Sequence, residues 1–525
     1  MTDANAPLAP APDCLSRLPV ELLLRITRQL KTPDLCAVRL CSRSLEQALH
    51  HFFLQEFFRR KQFMLTELSL QALLDIARHP VLSQTLRHVS IGLDEYFVNS
   101  HEFPKDEKMG RFLIMAVAEQ NALMTNGRAI RLLSAAFSLL PNLETVQLRE
   151  YDSLTRFRDG PHEAWRSYGA QSAWPQMGES ANILPRKTSS PHFSSRAFAI
   201  MMTALAQSTA RPLNLEVLIS TNQNGLGFSA FDLIPAPRLT LCGGGDLKDE
   251  KDDVYVVDVL AGLRRLHLKL QFNLHPQDVN NHVMYGAPFN GASRPQVLAE
   301  RLPLHAWLAH CPNIEWLRLN LEEQADDYND NFLALLGAPL PDSYPLPPGS
   351  AASRDLTLPF ASHLRRLDLG MASCYYHVLL GLLRRLPALE HLSLWRLSLL
   401  EKATHPHSSW ESFLRVLAKD RLGKQLKKMM LGRLRTVLFH YTFSSMQRTH
   451  NVTLNRERSI EYTAEVGVSM ASWLQKLKIR YKRDAWHQSD ADGDENFLDD
   501  PESNVHEYDS EDEHEGSEEG EEHFG

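Results

Sequence analysis

Few stretches of this sequence combine residue types and spacing that could do chemistry. Gly243-Gly244-Gly245-Asp246 follows the strand-like run Arg238-Leu239-Thr240-Leu241. Successive backbone N–H groups in such a turn can cradle a phosphate. No helical run with a lysine at phosphate-loop spacing follows, so the segment reads as a flexible turn. His405 and His407 form a pair among 23 histidines, with no Cys or carboxylate at ligand spacing beside them. The six cysteines, Cys14, Cys36, Cys41, Cys242, Cys311 and Cys374, are scattered and form no C-x-x-C pair. Neither a zinc site nor a disulfide framework is indicated. GxxxxGK[ST], GxSxG, HExxH and a strand-to-helix GxGxxG are all absent from the sequence. The expectation is a chain that is not an enzyme and carries no metal or cofactor.

Charge offers a second kind of chemistry. Lys476, Lys478, Arg480 and Lys482 alternate with Leu477, Ile479 and Tyr481. Read as a strand, this spacing places all four basic side chains on one face. They form a candidate basic patch. Residues 490–525 hold 17 Asp and Glu with no Lys or Arg, and the preceding 489 residues carry an excess of nine positive charges. A mildly basic body and a strongly acidic tail are the result. The tail cannot bury enough apolar surface to fold, and it can screen the patch beside it. Ser489 and Ser510 each have an acidic residue three positions on, the context of acidophilic kinases. The body is only modestly positive and no nucleic-acid module is legible, so nucleic acid is not the expected partner.

These features need elements to hold them. A chain of 525 residues, 43% of them hydrophobic, can form more than one folded unit. The opening residues MTDANAPLAPAPD lack the basic and apolar regions of a targeting segment. No run reaches the 18 or more apolar residues of a membrane span. The expected location is the cytoplasm, the nucleus or both. In such a compartment the sequon Asn451-Val452-Thr453 has no glycosylation role.

Residues 18–58 read as three short helices. Pro19 opens the first, and Leu22, Leu23, Ile26 and Leu30 make its apolar stripe. Thr32, Pro33 and Asp34 restart the chain, with Thr32 as cap and Leu35, Val38 and Leu40 lining the helix. Ser42 caps the third, which carries Leu45, Leu49, Phe52 and Phe53. Three helices of this size show more apolar surface than they can hide, so the rest of the chain or a partner must cover some of it. The run LPxELLLxI followed by LxxPDLxxVRLxSRxL resembles the F-box, the module that docks proteins onto the Skp adaptor of cullin–RING ubiquitin ligases. Leu45 stands where many members carry an aromatic. The residues after it, FFLQEFFRRKQFMLTELSL, look like those following the F-box in many fungal members. The resemblance implies that Leu18, Pro19, Leu22, Ile26, Leu30, Leu35 and Val38 provide the adaptor interface or order it. Leu18, Ile26 and Leu35 are its leading anchors, and Glu21 and Asp34 are lesser rim or cap residues.

Beyond this region one pattern returns: apolar, two others, apolar, one other, apolar. It occurs at Leu86-Val89-Ile91, Leu143-Val146-Leu148, Leu263-Leu266-Leu268, Ile314-Leu317-Leu319, Leu364-Leu367-Leu369, Leu389-Leu392-Leu394 and Leu434-Val437-Phe439. Leu215-Leu218 begins another copy that ends on polar Ser220. Several copies follow a helical run and a proline, as in SAAFSLLPNLETVQL and LGLLRRLPALEHLSL. The unit resembles a degenerate leucine-rich repeat, whose strands line one face while the return segments pack behind. The copies lie mostly about 50 residues apart, well beyond the roughly 20–29 of regular repeats, which calls for insertions. Two are visible in composition, near 152–191 with Trp165 and Trp174, and near 324–353. The stretch from Asn451 to Asp484 reads as strands and a short helix closing the domain. The expected fold is α/β: residues 1–14 disordered, a three-helix F-box at 15–60, an irregular leucine-rich-repeat-like βα solenoid at 61–485, and a disordered acidic tail at 486–525.

The functional expectation follows from the resemblance. The chain would be a substrate-recognition subunit of an SCF-type ligase, binding the Skp adaptor, and through it cullin, with one domain and an unknown target protein with the other. Two alternatives stay open, a scaffold acting outside the ligase and a repeat-type nucleic-acid or chromatin binder.

Overall fold

Two kinds of local pattern, helical stripes near the N-terminus and short apolar-alternating strands beyond it, build two separate cores. The computed structural model describes residues 15–97, 107–150, 167–169, 186–187, 191–219, 225–231, 256–271, 304, 307–321, 332–333, 336, 359–402, 409–439, 448–464 and 469–483. The first core belongs to α1 (Val20–Thr27), α2 (Thr32–Cys41) and α3 (Arg43–Phe58). Pro19 is the residue before α1, and its carbonyl accepts the N–H groups of Leu22 and Leu23 at 3.1 Å each. Lys31 occupies the cap position of α2, which corrects the assignment of Thr32; Thr32 is the first helical residue and Pro33 the second. Ser42 caps α3 as expected, its Oγ accepting from Leu45 N at 3.2 Å. Leu23, Leu35, Leu45, Leu49 and Phe57 fill the interior, with Leu15, Leu18, Leu30 and Val38 packed around them.

The strands follow in chain order. They are β1 (Arg60–Met64), β2 (His88–Gly92), β3 (Asp94–Glu95), β4 (Thr145–Arg149), β5 (Arg186–Lys187), β6 (Asn214–Leu218), β7 (Arg265–Lys269), β8 (Trp316–Asn320) and β9 (Arg366–Gly370). Then come β10 (Ser373–Cys374), β11 (His391–Trp395), β12 (Ser398–Lys402), β13 (Lys428–Gly432), β14 (Arg435–Phe439), β15 (Arg448–Leu454), β16 (Ser459–Thr463) and β17 (Ile479–Arg483). β1, β2, β4, β6, β7, β8, β9, β11 and β13 lie side by side in that order, all parallel, and antiparallel β16 closes the sheet. Along β2 to β13 the second and fourth residues of each strand are buried apolar side chains, from Val89 and Ile91 to Met429 and Leu431. They share one core with the intervening helices, such as Glu67–Arg78, Arg128–Ser138 and Tyr376–Arg384. Period two sends the remaining strand residues to the opposite face.

This register corrects three sequence expectations. Leu215 pairs with Val146 and Val217 with Leu148, so Leu215 is the second apolar position of its copy and buried Pro212 takes the first. Leu434-Val437-Phe439 spans β14 of a second sheet. The copy in the long sheet is Leu426-Met429-Leu431. β1 escaped notice because Lys61 occupies the register position of Val89, where every later strand is apolar. The helix–proline–strand order does occur where expected, at Pro141 before β4 and Pro387 before β11.

The second sheet runs β10-β12-β14-β15-β17. The chain enters it through Met371, Arg396 and Arg433, which stand one residue past β9, β11 and β13 with φ of 52°, 50° and 49°. A left-handed turn costs an L-residue about 1–2 kcal/mol. Here each turn is held by its own N–H donating to a neighbouring carbonyl, of Trp395, Gly432 and Arg458 respectively. The closing strands and helix near the C-terminus are present as β15, β16, Met470–Lys476 and β17.

Most of the two insertions lies outside the described residues, with Trp165 and Trp174. So do residues 1–14, Gly243 to Asp246, His405, His407, Ser489, Ser510 and the acidic tail. Ser167 and Tyr168 are described and tie the first insertion to β1. Tyr168 N donates to Gln62 O at 2.8 Å, Ser69 Oγ to Tyr168 O at 2.7 Å, and Gln62 Nε2 to Ser167 Oγ at 2.9 Å. Cys36, Cys41, Cys311 and Cys374 carry free thiols, and burial pushes that of Cys311 up.

Candidate functional site

The apolar residues of α1 do not form the single inward stripe that the sequence suggests. Leu23 is 2% exposed and points into the bundle with Thr27, whose Oγ1 donates to Leu24 O at 3.2 Å. Leu22 and Ile26 are 46% and 43% exposed. One turn apart, they share a face with exposed Pro19, three residues before Leu22. Leu18, Leu30 and Val38 are half-buried at the edge of the core. Leu35 is fully buried, so it orders the bundle and presents nothing to a partner.

Sequence reasoning missed two members of this surface and misplaced one helix face. Val20 is 43% exposed. Leu40, expected to line α2, is 86% exposed and stands on the side of that helix that carries exposed Pro33, Ala37 and Cys41. The available signal was spacing: Pro33, Ala37, Leu40 and Cys41 recur at helical intervals with no charge among them. A second set of side chains locks α2 against α3. Arg39 Nη2 and His50 Nδ1 each meet Glu46 Oε1 at 3.1 Å, and the Arg39 guanidinium lies 3.5 Å from the Phe53 ring centroid. The His50 imidazole first, then Arg39, hold the Glu46 carboxyl below the usual carboxylate range.

The candidate basic patch is divided by the structure. Lys476 is the last residue of the helix Met470–Lys476, so it does not share a strand face with the others, and Lys478 precedes β17. The helical claim on this stretch comes from Ser469, which caps it through Ser472 N at 3.3 Å, and from buried Met470 and Leu474 one turn apart. Arg480 and Lys482 do lie on one exposed face of β17, opposite Thr453 and Asn451 of β15. Leu477, Ile479 and Tyr481 pack against the core. The sheet reaches its edge here with three exposed cations in the row, Lys478, Arg480 and Lys482.

A further set of polar side chains was legible only through strand register. The middle residues of successive strands, Gln147, Glu216, His267, Arg318 and Asp368, stand side by side on the face away from the helices. Each is the unremarked residue between two apolar positions, and no one of them is distinctive alone.

Residues 15–58 match the F-box-like family model. No curated protein matches the chain. The match takes in α1, α2 and α3 and ends on Phe58, the last residue of α3. It therefore falls on the element that leaves Leu22, Ile26 and Leu40 exposed. Among the described residues no group of His, Cys, Asp or Glu is placed to hold a metal. No described helix is long and apolar enough to cross a membrane.

Proposed function

We propose that this chain is a non-catalytic substrate receptor of an SCF-type cullin–RING ubiquitin ligase. The observation that carries the reading is the coincidence of the F-box-like match with an uncovered apolar surface on the matched helices. Exposed Leu22, Ile26 and Leu40, with Leu18 and Pro19 at the rim, are the side chains that contact the Skp adaptor. Leu23, Leu30, Leu35 and Val38 hold those helices in place. Buried anchors carry most interface energy, and side chains already half-wrapped by their own bundle lose little freedom on docking.

The sheet is the target-binding part of the same proposal. Nine parallel strands in chain order, with helices behind and polar residues in front, support the reading of an irregular leucine-rich-repeat-like solenoid. Such a row offers a partner one long face of alternate side chains. Ubiquitin transfer belongs to associated proteins, acting with this chain in the cytoplasm or nucleus.

The test is reconstitution of the full chain with purified Skp adaptor, cullin and RING subunit, followed by gel filtration. Co-elution of all four components is expected. Binding of the adaptor with exclusion of cullin would instead make the chain a scaffold outside the ligase. Failure to bind the adaptor would overturn the reading.

A further inference from the structure

The far edge of the second sheet gathers cations from two elements. Asn455 and Arg456, with φ of 53° and 75°, join β15 to β16, and Leu454 and Glu457 close the turn through N–H to carbonyl bonds of 3.1 and 2.9 Å. Two left-handed residues in succession suit the twist of the flanking strands. Asn455 also holds the approach to β17. Its N–H donates to Lys478 O at 2.9 Å, and Lys478 N donates to its Oδ1 at 3.0 Å. The turn thereby brings exposed Arg456 to the Lys478 end of the row Lys478, Arg480 and Lys482. Other lysines of this region are paired, Lys427 with Glu390 at 2.8 Å and Lys428 with Glu461 at 3.0 Å. Among the described residues none of Arg456, Lys478, Arg480 and Lys482 has an ion pair, although Glu457 stands in the same turn.

The shape of the row selects what can cover it. β17 ends its sheet among the described residues, and an edge strand can be extended by one more strand. Lys478, Arg480 and Lys482 recur with period two over about 14 Å, so a matching strand carries anions at the same period. The sequence supplies one directly after β17: Asp490, Asp492 and Asp494, separated by Ala491 and Gly493. Laid antiparallel along β17, this segment sets Asp490 opposite Lys482, Asp492 opposite Arg480 and Asp494 opposite Lys478. Directly opposite residues share a face, so one register satisfies all three charge pairs. The connection it requires is residues 484–488, within the range of about 2–5 residues usual for hairpins. Glu511, Glu513 and Glu515 repeat the spacing, but their connection, 484–509, is about five times longer. Effective concentration falls roughly as the 3/2 power of that length, which favours the nearer segment about tenfold.

We propose that Lys478, Arg480 and Lys482, with Arg456 beside them, form a docking surface for an acidic strand, and that its occupant is residues 490–494 of this chain. A short tether presents that segment at about millimolar effective concentration, far above what the tail of a second chain reaches in dilute solution. The pairs are exposed, so salt weakens the contact. An outside acidic partner has to displace the segment before it meets the row. The surface is independent of adaptor binding and stands whether or not the chain joins a ligase.

The experiment uses the full chain, mixed in equal parts with its ¹⁵N-labelled form, and a carbodiimide that joins an ammonium to a carboxylate in contact with it. Mass spectrometry is expected to find Lys478 linked to Asp494 within one isotope. Links of Lys478 to Glu511, Glu513 or Glu515, links between isotopes, or no link at all would overturn the proposal, the first two by assigning the row to another segment or to a second copy. Lysine acetylation rates then report cover. In D490N/D492N/D494N, Lys478 and Lys482 should react at least about threefold faster, the lower end for three exposed cross-strand charge pairs. Lys476, outside the row, should react at its native rate, and so should all three lysines in E511Q/E513Q/E515Q. Urea unfolding confirms that each variant is folded. Equal rates in the native chain and D490N/D492N/D494N would show an uncovered row and overturn the proposal, and protection by an added single-stranded oligonucleotide would then assign the row to nucleic acid. Equal acceleration in the two tail variants would reduce the effect to general screening and overturn it as well.

Discussion

Replacing Leu22 and Ile26 together by Ala separates the surface of the N-terminal bundle from its interior. The two side chains are 46% and 43% exposed in the free chain. Roughly half of each is therefore still available for burial by a partner. Complete burial of a Leu or Ile side chain contributes about 1.5–3 kcal/mol. The remaining half is worth about 1 kcal/mol for each, or about 2 kcal/mol for the pair. That corresponds to adaptor affinity about 30-fold weaker. The stability of the chain itself should change by no more than about 0.5 kcal/mol per site, as for other surface substitutions. Leu35→Ala is the contrasting perturbation. Its side chain is fully enclosed by the three helices, and truncation should cost about 2–5 kcal/mol of bundle stability. Calorimetric titration with purified Skp adaptor gives the affinity, and urea unfolding of the same samples gives the stability. If folded L22A/I26A binds within threefold of the native chain, these residues are not the contact surface. If it unfolds as readily as L35A, the division into surface and interior is wrong.

Two further outcomes test the sheet. His88 is held neutral, chiefly by burial and then by nearby arginines, with its pKa lowered to about 3, and burial lowers that of His267 as well. An unfolded histidine takes up a proton near pH 6.5 that neither folded one accepts, so stability is retained above pH 6.5 and lost as pH falls below it. The loss approaches about 1.4 kcal/mol per pH unit for each residue, and urea midpoints between pH 7.5 and 5.5 should fall less steeply in H88Q/H267Q than in the native chain. Gly432 lies beneath its β11 neighbour Trp395, and a Cβ there would meet the indole ring. Gly432→Ala should cost about 1–3 kcal/mol by overpacking, read as a lower unfolding midpoint, and an unchanged midpoint would show that the ring moves freely.

The parts of this fold that were legible in the sequence are those governed by one short-range rule. Ser42 caps α3 because a β-region serine followed by a helical run has one good use for its hydroxyl. The strands β2, β4, β7, β8, β9 and β11 announce themselves through apolar residues two apart. Where two rules compete the reading slips. Lys476 fits a basic–apolar alternation and also ends the helical series Met470, Trp473, Leu474, and the buried helix wins. Leu434-Val437-Phe439 and Leu426-Met429-Leu431 satisfy the same pattern, and only the left-handed turn at Arg433 decides which copy joins the long sheet. On α1, Leu22 and Leu23 are equally apolar, and which one faces the core depends on where α2 and α3 pack. The polar row Gln147, Glu216, His267, Arg318 and Asp368 was beyond any local rule, since its members come from separate strands some 50 to 70 residues apart and meet only through register.

The two proposed surfaces are physically separable although the chain joins them closely. α3 passes into β1 through Arg59 alone, and the Arg59 carbonyl accepts the N–H groups of Arg87 at 2.9 Å and His88 at 3.0 Å. The helices therefore meet the sheet through a hydrogen-bonded junction. Yet among the described residues the bundle core and the sheet core share no buried side chain. From β1 to β8 the order β1-β2-β4-β6-β7-β8 has five intervals, which places Trp316 about 24 Å from the bundle end of the sheet. Substitutions more than about 10 Å apart with no common partner act additively. A substitution in the Trp316 row, such as Arg265→Gln, should then leave adaptor binding intact, and the loss of adaptor affinity in L22A/I26A should be the same with and without it. Coupling between them would have to pass through the junction of α3 with β1, where Lys61 lies 5.0 Å from the Phe58 ring centroid, and then along the strand row.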